Sequence, residues 1–504
     1  MSGENSSSAK ESREKKPRAL DIAEVLRNGG ADTLGRQLRL TLSLSLPSVF
    51  AQLSTIVMEY IDASMVGSLG AEASASIGIV STTTWLFWGI GSAIVAGFSV
   101  QAAHLIGADK DDSARRIVGQ AIFSVGIVAV ALGLVGWGIS GRLPVWLGGD
   151  SSIVPSASSY FRIFSLGLPV LFMNFLAGSL LRCSGNTLIP GILNVAMCVL
   201  DVVFNWFLIF PSRDILVMGV GITVPGAGLG VSGAALGTVC AEVVTASLMM
   251  YYLLRKSRHL NMRKHLVSFI PRRETLRRAL KISLPMGTEH IIMCGAQIFL
   301  TIIVAPLGTV AIAANAFAIT AESLCYTPGF GVADAATTLV GQTIGAGRRN
   351  LTRRFAYITM GMGIGIMTVM GLAMYLAAPM LMEIFTPVQE VRDMGVMALR
   401  IEAFAEPMYA ASIVAYGVFV GAGDTLVPSM MNLVSIWGVR IPLAAWLAGT
   451  MGLKGVWIAM CIELCFRGGI FLWRLLRNRW IHKATNLSHI ETKELEQPIN
   501  YYEL

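Results

Sequence analysis

Charged residues are scarce in this chain of 504 residues: Asp, Glu, Lys and Arg make up 14% of it, and hydrophobic residues make up 54%. An ordinary soluble domain carries about 25% charged residues. So few charges leave too little polar surface to cover a water-soluble fold of this size. The composition therefore excludes a soluble globular protein and favours one embedded in a lipid bilayer.

Several kinds of site are missing as well. The seven cysteines lie in or beside apolar runs, without the spacing of a disulfide framework or of metal ligands. None of the six histidines lies deep in an apolar run beside a catalytic partner, and no glycine-rich phosphate-binding loop is present. We therefore predict no metal site, no cofactor and no enzymatic activity. The long Ser- and Lys-rich N-terminus has no early apolar core, so no cleavable signal peptide is expected.

Long apolar runs are abundant, and each is long enough to cross a hydrocarbon core of about 30 Å. They predict an all-α polytopic membrane protein with twelve transmembrane helices. The predicted runs are 44–67, 74–100, 117–140, 158–181, 189–210, 232–254, 283–305, 313–341, 355–380, 396–421, 427–449 and 454–475.

The net charge of +8 is concentrated in the N-terminal tail, in the central connection and in the connections after the second and eighth runs. Cytoplasmic connections of membrane proteins carry an excess of Lys and Arg. This distribution predicts a multi-pass protein of the cell inner membrane with both termini in the cytoplasm. It argues for contact with the bilayer and against nucleic-acid binding.

The second half of the chain repeats the first at a constant separation of 238 residues, as between Pro47 and Pro285. The clearest block is Ser-Gly-Asn-Thr-Leu-Ile-Pro at 184–190 against Ala-Gly-Asp-Thr-Leu-Val-Pro at 422–428. The separation then drops to 222, which predicts an insertion of 16 residues in an outside loop between the fifth and sixth helices. Parallel repeats of this kind are typical of transporters with a cavity between the halves. The predicted parts are a disordered tail 1–40, an N-lobe 41–256, a basic linker 257–282, a C-lobe 283–478 and a C-terminal tail 479–504.

Acidic side chains within the apolar runs are candidates for function because an ionised group there is costly unless it is paired or hydrated. The internal repeat shows which of these acids the scaffold does not need. Asp62 corresponds to Leu300 and Asp201 to Val439, so the scaffold folds with apolar residues at both places. This favours a functional role for Asp62 and Asp201. Two carboxylates in one poorly hydrated lobe repel each other, so the pair can take up and release a proton.

Other acids within the runs support alternatives that the sequence leaves open. Glu59 lies one turn before Asp62 and either enlarges the acidic site, faces the cavity or packs within the lobe. Glu289, Glu322 and Asp334 are candidate substrate or accessory residues of the second half, and Arg440 is a candidate partner for one of the last two. Glu242 and Glu463 are expected to be structural.

With these residues in view, the chain resembles the multidrug and toxic compound extrusion (MATE) family, and within it the bacterial DinF-like branch. The resemblance spans about residues 40–478. It rests on Leu46-Pro47, on Asp62-Ala-Ser-Met-Val-Gly-Ser-Leu-Gly70, on Gly185-Asn-Thr-Leu-Ile-Pro190 with Asn194 and Asp201, and on Gly341-Gln-Thr-Ile-Gly-Ala-Gly347. It implies a two-lobed antiporter that uses a proton or sodium gradient to expel small organic cations.

The resemblance also implies a coupling-cation site in the N-lobe, where Asp62 and Asp201 match the family's acids. Asn194, two turns before Asp201, and Thr238, which resembles a threonine of the family's sixth helix, are expected to complete it. Pro47 matches a proline at which some members bend, so it is a candidate hinge. The family pattern expects Asn four residues before the helix-five acid, but Met197 stands there. That departure weakens the expectation of close sodium coordination.

A lipid-linked glycan or polysaccharide flippase of the same superfamily is the alternative function. Such a cavity needs several cationic residues to hold a diphosphate, whereas acids outnumber basic residues within the apolar runs. The balance favours organic cations as substrates. We expect a monomer, and the sequence leaves the choice between H+ and Na+ open.

Overall fold

The computed structural model describes residues 22–27, 33–217, 220–263 and 269–481, without the side chains of 22, 27 and 213–224. Within these residues, eleven helices are long and apolar enough to cross a membrane, and a bent helix pair makes a twelfth span. Helices are favoured because lipid offers no partner for backbone polar groups. The spans, numbered 1 to 12, are Leu34–Gly67, Ala71–Gly107, Asp111–Ile139, Val154–Cys183, Leu188–Ile209, Val231–Arg255, Arg273–Val304, Thr309–Gly345, Arg349–Phe385, Gln389–Glu402 with Glu406–Gly421, Leu426–Met451 and Leu453–Leu476.

The predicted fold class is therefore confirmed, although several helices run past the apolar segments that predicted them. Span 2 reaches Gly107 and span 9 begins at Arg349, each about two turns beyond the predicted boundary. Hydropathy detects only the part of a helix that lies in hydrocarbon, whereas the helix continues through polar turns at the membrane surface.

Two spans of the second half are irregular. Span 10 bends by 59° between Glu402 and Glu406, and Pro407 stands in the first turn of its second segment. Proline fits there because the first helical N–H groups have no partner within the helix. Span 11 contains a π-helical turn over Ile436–Arg440, just before Pro442. A proline removes one hydrogen bond from the preceding turn, and wide turns of this kind are frequent at functional sites.

The insertion between spans 5 and 6 contains a two-stranded antiparallel hairpin, β1 Pro211–Val217 and β2 Val220–Ala227. Pro211 pairs with Ala227 and Val217 with Val220. The sequence predicted an outside loop here and did not anticipate the two strands. Gly226 lies against the end of span 5, since a Cβ at this position would come within 2.3 Å of the Phe210 carbonyl oxygen.

Each half of the chain packs a separate apolar core, around Phe161, Leu168 and Phe172 in the first and around Phe419 and Phe471 in the second. The halves meet where span 1 packs on span 8 and span 2 packs on span 7. Many large apolar side chains nevertheless point outwards. Such a surface is expected of a protein in contact with lipid.

A short helix, Ile22–Arg27, lies where spans 2 and 8 approach each other. Ala23 is buried against the core of the first half, and Leu26 against residues of spans 1, 8 and 9. The Glu24 carboxylate accepts a hydrogen bond from Arg258 at 2.9 Å. Residues 22–27 and 34–40 are thus helical, whereas the sequence predicted disorder over 1–40; residues 1–21 and 28–32 lie outside the described residues. Residues 264–268 of the predicted linker and 482–504 of the predicted C-terminal tail also lie outside them.

We call the end of the bundle that carries this helix and the basic connections the basic end. Spans 2, 4, 8 and 10 finish there, and spans 1, 5, 7 and 11 begin there.

Candidate functional site

The carboxyl groups of Asp62 and Asp201 lie side by side in the first lobe, joined by one amide. The Asn205 side-chain nitrogen donates to Asp62 Oδ1 at 2.8 Å and to Asp201 Oδ2 at 3.0 Å. Asp201 and Asn205 are fully buried, while Asp62 is partly exposed. Asp201 Oδ1 has no hydrogen-bond partner in the described part of the chain. The pair therefore has one carboxyl inside the lobe and one that reaches its surface.

Span 6 shapes the wall of this site. A Cβ at Gly237 would stand 2.0 Å from Asn205 Oδ1, so only glycine leaves room for the bridging amide. The next residue, Thr238, donates its hydroxyl to the Ala234 carbonyl at 3.2 Å and lies beside the Asp201 carboxyl. The structure thus brings Asp62, Asp201 and Thr238 together, and their role as a coupling-cation site stays a prediction.

Asn205 was missed by the sequence reasoning, which looked for an asparagine four residues before Asp201. The amide instead comes four residues after it, and both positions lie on one face of a helix. Asn194, the asparagine that was predicted, is half-buried two turns towards the basic end. The described residues give its side chain no hydrogen bond to the carboxylate pair.

Glu242 adds a third carboxyl to this region, one turn beyond Thr238 on span 6. Its Oε2 accepts a hydrogen bond from the Asn174 side chain at 2.5 Å, and both residues are buried. Glu242 also interacts electrostatically with Asp201. A purely structural role was expected, but the position makes it part of the acidic region.

Pro47 lies inside span 1, fifteen residues before Asp62. Because proline has no N–H, it leaves the Ser43 carbonyl without its usual helical donor. The Thr187 hydroxyl stands 3.4 Å from that carbonyl. In the second half, the Thr425 hydroxyl donates to the Ile282 carbonyl at 3.0 Å, close to Pro285. Each lobe thus supports the proline turn of its first span with the threonine of the repeated block.

The remaining predicted acids are distributed differently. Glu59 is exposed, and no side-chain hydrogen bond is recorded for it within the described residues. Asp334 lies 3.8 Å from Arg182 of the other lobe. Glu322 is buried, with 3% of its surface exposed, so its carboxyl belongs to the interior of the second lobe.

A cluster of acids and arginines fills that interior. Glu463 lies 3.0 Å from Arg440 and accepts two hydrogen bonds from Arg467, at 2.8 and 2.9 Å. Arg440 is thus paired with Glu463, whereas the sequence suggested Glu322 or Asp334. Glu402 and Glu406, at the bend of span 10, are fully buried, and neither carboxyl has a hydrogen-bond partner in the described part of the chain.

Glu402 and Glu406 were overlooked in the sequence, although the repeat offered a signal. They correspond to Phe164 and Leu168 of the first half, so they satisfy the test that singled out Asp62. We define the second-lobe cluster by Glu322, Glu402, Glu406, Arg440, Glu463 and Arg467.

Glu289 lies nearer the contact between the lobes and interacts electrostatically with Arg467 of this cluster. Its carboxylate accepts hydrogen bonds from the Tyr416 hydroxyl at 2.9 Å and from the Asn432 side chain at 2.6 Å. Next to it, the ring of His290 packs edge-on against Trp85 of the first lobe. Asn432 corresponds to Asn194 in the repeat, so equivalent asparagines have different surroundings in the two lobes.

A model of the MatE family matches residues 47–207 and 285–446, one copy in each half of the repeat. The chain belongs to the MatE family. The family assignment made from the sequence is therefore confirmed, and the narrower assignment to the DinF-like branch stays a prediction.

Relatives and solved structures agree with this assignment. The MatE chain is 24% identical over 461 residues to a probable multidrug resistance protein NorM from Thermotoga maritima, covering 90% of this chain and 95% of the relative. A NorM relative from Xylella fastidiosa is 26% identical, with the same coverage. A MOP superfamily transporter from Pyrococcus furiosus matches with a TM-score of 0.81 and 20% identity, over 92% and 99% of the two chains. The MATE transporter VcmN from Vibrio cholerae, in its bent form, matches with a TM-score of 0.76 and 20% identity, over 90% and 98%.

Proposed function

We propose that this MatE protein is a secondary active antiporter that exports organic cations in exchange for protons, with Asp62 and Asp201 as the coupling site. The observation that carries the proposal is the carboxylate pair on Asn205, with Asp201 fully buried, in a lobe whose repeat copy has Leu300 and Val439 at the equivalent places. The multidrug resistance names of the relatives support export as the direction of transport.

The chemistry of the pair favours a proton over sodium. Asn205 presents its amide nitrogen to both carboxyls, whereas a hard cation such as sodium needs several oxygen ligands. A proton needs only one lone pair, and Asp201 Oδ1 offers it inside the lobe. Protonation removes the repulsion between the two acids. A cation that approaches Asp62 instead favours the ionised form of the carboxyl groups. Proton and substrate cation therefore oppose each other.

The flippase alternative depends on cationic residues that could hold a diphosphate. Within the described parts of the spans, Arg440 and Arg467 are engaged with Glu463, and Arg182, at the basic end, lies 3.8 Å from Asp334. A lipid diphosphate would have to displace these partners. This supports organic cations as the substrate class.

The remaining parts of the proposal concern topology and assembly. The protein lies in the inner membrane of the cell. Its basic end faces the cytoplasm, because Lys and Arg are retained on that side. A monomer is sufficient, since the coupling site lies entirely within one lobe.

The coupling ion is tested in inverted membrane vesicles, with ethidium supplied in the external solution. If protons drive transport, a pH gradient will support accumulation and a sodium gradient alone will not. Because linkage is reciprocal, substrate binding to the detergent-solubilised protein should release protons into a weakly buffered solution, and affinity should rise with pH. Sodium-driven accumulation with no proton release would contradict the proton assignment.

Glu289→Gln tests a separate role for the second lobe. The substitution keeps hydrogen-bonding capacity towards Tyr416 and Asn432 but removes the charge beside the contact between the lobes. We expect a changed ranking of exported compounds, with the largest loss for dications, and an unchanged response to the pH gradient. Export of several dyes and fluoroquinolones by the variant, compared at equal protein level, measures this. A uniform loss for all compounds would instead place the coupling site in the second lobe.

A further inference from the structure

Four residues at the basic end form two pairs that the repeat relates to each other. His104 of span 2 corresponds to Gln342 of span 8, and Cys183 at the end of span 4 corresponds to Gly421 at the end of span 10; both separations are 238. His104 Nε2 donates to the Gly421 carbonyl at 2.9 Å, and Gln342 Nε2 donates to the Cys183 carbonyl at 2.8 Å. Each bond crosses from one lobe to the other, and the two are equivalent under the internal two-fold.

The acceptors of these bonds are helix-terminal carbonyls. The last carbonyls of a helix have no donor within it and need another partner. Cys183 and Gly421 end their helices, and no backbone N–H of the described residues donates to either carbonyl. In each lobe, a side chain of the opposite lobe thus caps the helix. When the lobes separate, water can replace that donor, so the cap is reversible at modest cost.

Two glycines bring the donors into place, and they too are related by the repeat. A Cβ at Gly107 would stand 2.1 Å from the Gln342 carbonyl oxygen, and one at Gly345 would stand 2.0 Å from the His104 carbonyl oxygen. Spans 2 and 8 therefore touch backbone to backbone at the basic end. Any side chain larger than hydrogen at either place forces the helices apart.

Further contacts reinforce the same end of the lobe contact. The Thr338 hydroxyl lies 3.2 Å from the Arg182 carbonyl, and the Arg182 side chain lies 3.8 Å from Asp334. The short helix Ile22–Arg27 contacts both spans 2 and 8. The basic end is closed in this structure by polar contacts that water or an ion can replace.

We propose that His104 and Gln342 form a two-fold latch that holds the basic end closed, and that Gly107 and Gly345 permit the approach on which the latch depends. These are positioning residues: they act on the relative placement of the lobes. The inference rests on the proposed function only because transport requires the basic end to open. Entry of a substrate from that side requires both bonds to break.

Hydrogen–deuterium exchange of the full-length protein in lipid nanodiscs, without substrate or gradient, tests the latch. His104→Leu and Gln342→Leu should each raise the exchange rate of backbone amides in 180–186 and 340–348 about tenfold, because each removes one buried bond between the lobes. His104→Gln keeps a donor of the kind found in the other half and should exchange like the wild type. Amides around Phe161, in the core of the first lobe, should be unchanged in all three variants.

The close contact at Gly107 and Gly345 is tested with two alanine variants and one control variant. Gly107→Ala and Gly345→Ala should raise exchange at the same segments at least as much, and should lower turnover more than substrate affinity because the end cannot close. Gly361→Ala, with open space around its Cβ position in span 9, should have no effect. Two results would overturn the latch. One is an exchange rate equal to that of the wild type in both leucine variants, and the other is an exchange rate in His104→Gln that is raised as much as in His104→Leu. Since the exchange measurement uses neither substrate nor an ion gradient, failure of the antiport proposal would leave its result intact.

Discussion

Asp201→Asn is expected to reduce proton-coupled efflux to the background of cells that lack the protein, while the variant still inserts and folds. The carboxyl is fully buried, shares Asn205 with Asp62 and keeps one oxygen without a hydrogen-bond partner in the described part of the chain. An amide has nearly the same shape but cannot bind and release a proton at neutral pH. Because Val439 occupies the equivalent place, the scaffold does not need a charge there.

Dye efflux from cells, with the amount of membrane-inserted protein measured in parallel, checks this expectation. Glu72→Gln is the matched control, since Glu72 is exposed at the start of span 2 and, within the described residues, bonds to neither Asp62 nor Asp201. Asp62→Asn should behave like Asp201→Asn. Full efflux by either variant at wild-type protein level would rule out the first-lobe coupling site.

Glu463→Gln should cause the largest loss of stability among the substitutions considered. Glu463 is fully buried and is in contact with Arg440 and Arg467, which are themselves largely buried. Removing one partner of a buried ion pair leaves uncompensated charge and costs roughly 3–5 kcal/mol. The variant should therefore give less folded protein and a lower melting temperature in detergent.

A surface ion pair provides the comparison. Glu383 lies 3.7 Å from Arg392 and is 69% exposed, so Glu383→Gln should cost about 1 kcal/mol or less. Fluorescence-detected size exclusion after heating ranks both variants against the wild type. Equal melting temperatures for Glu463→Gln and Glu383→Gln would mean that the second-lobe cluster is not held by charge pairing. A stable Glu463→Gln variant with altered transport would instead assign the cluster a functional role.

The sequence alone predicted the features that depend on local pattern. Apolar runs revealed the spans because bilayer thickness sets a minimum helix length, and the repeat singled out Asp62 and Asp201 because an acid without a counterpart cannot be required by the scaffold. Thr238 followed from the family resemblance. These residues meet at one site because their helices pack within one lobe.

Features that depend on contacts between distant segments could not be read in this way. Asn205 lies on the expected face of its helix, but only the gap at Gly237 shows that its amide reaches both acids. Glu402 and Glu406 were visible as acids, yet their burial depends on the bend of span 10, which hydropathy does not detect. The pairing of His104 with Gly421 joins residues more than 300 positions apart. No periodicity in either segment predicts this pairing.

The short N-terminal helix has a practical consequence for anyone who produces this protein. Ala23 and Leu26 anchor the helix to different groups of spans, so a tag or fusion partner joined directly before this helix would lie beside the closed end. A bulky addition there can pull the helix away and change how easily that end opens, before any residue of the transporter itself has been altered. Affinity handles and fluorescent reporters are better placed after residue 481, where the last described helical turn has ended.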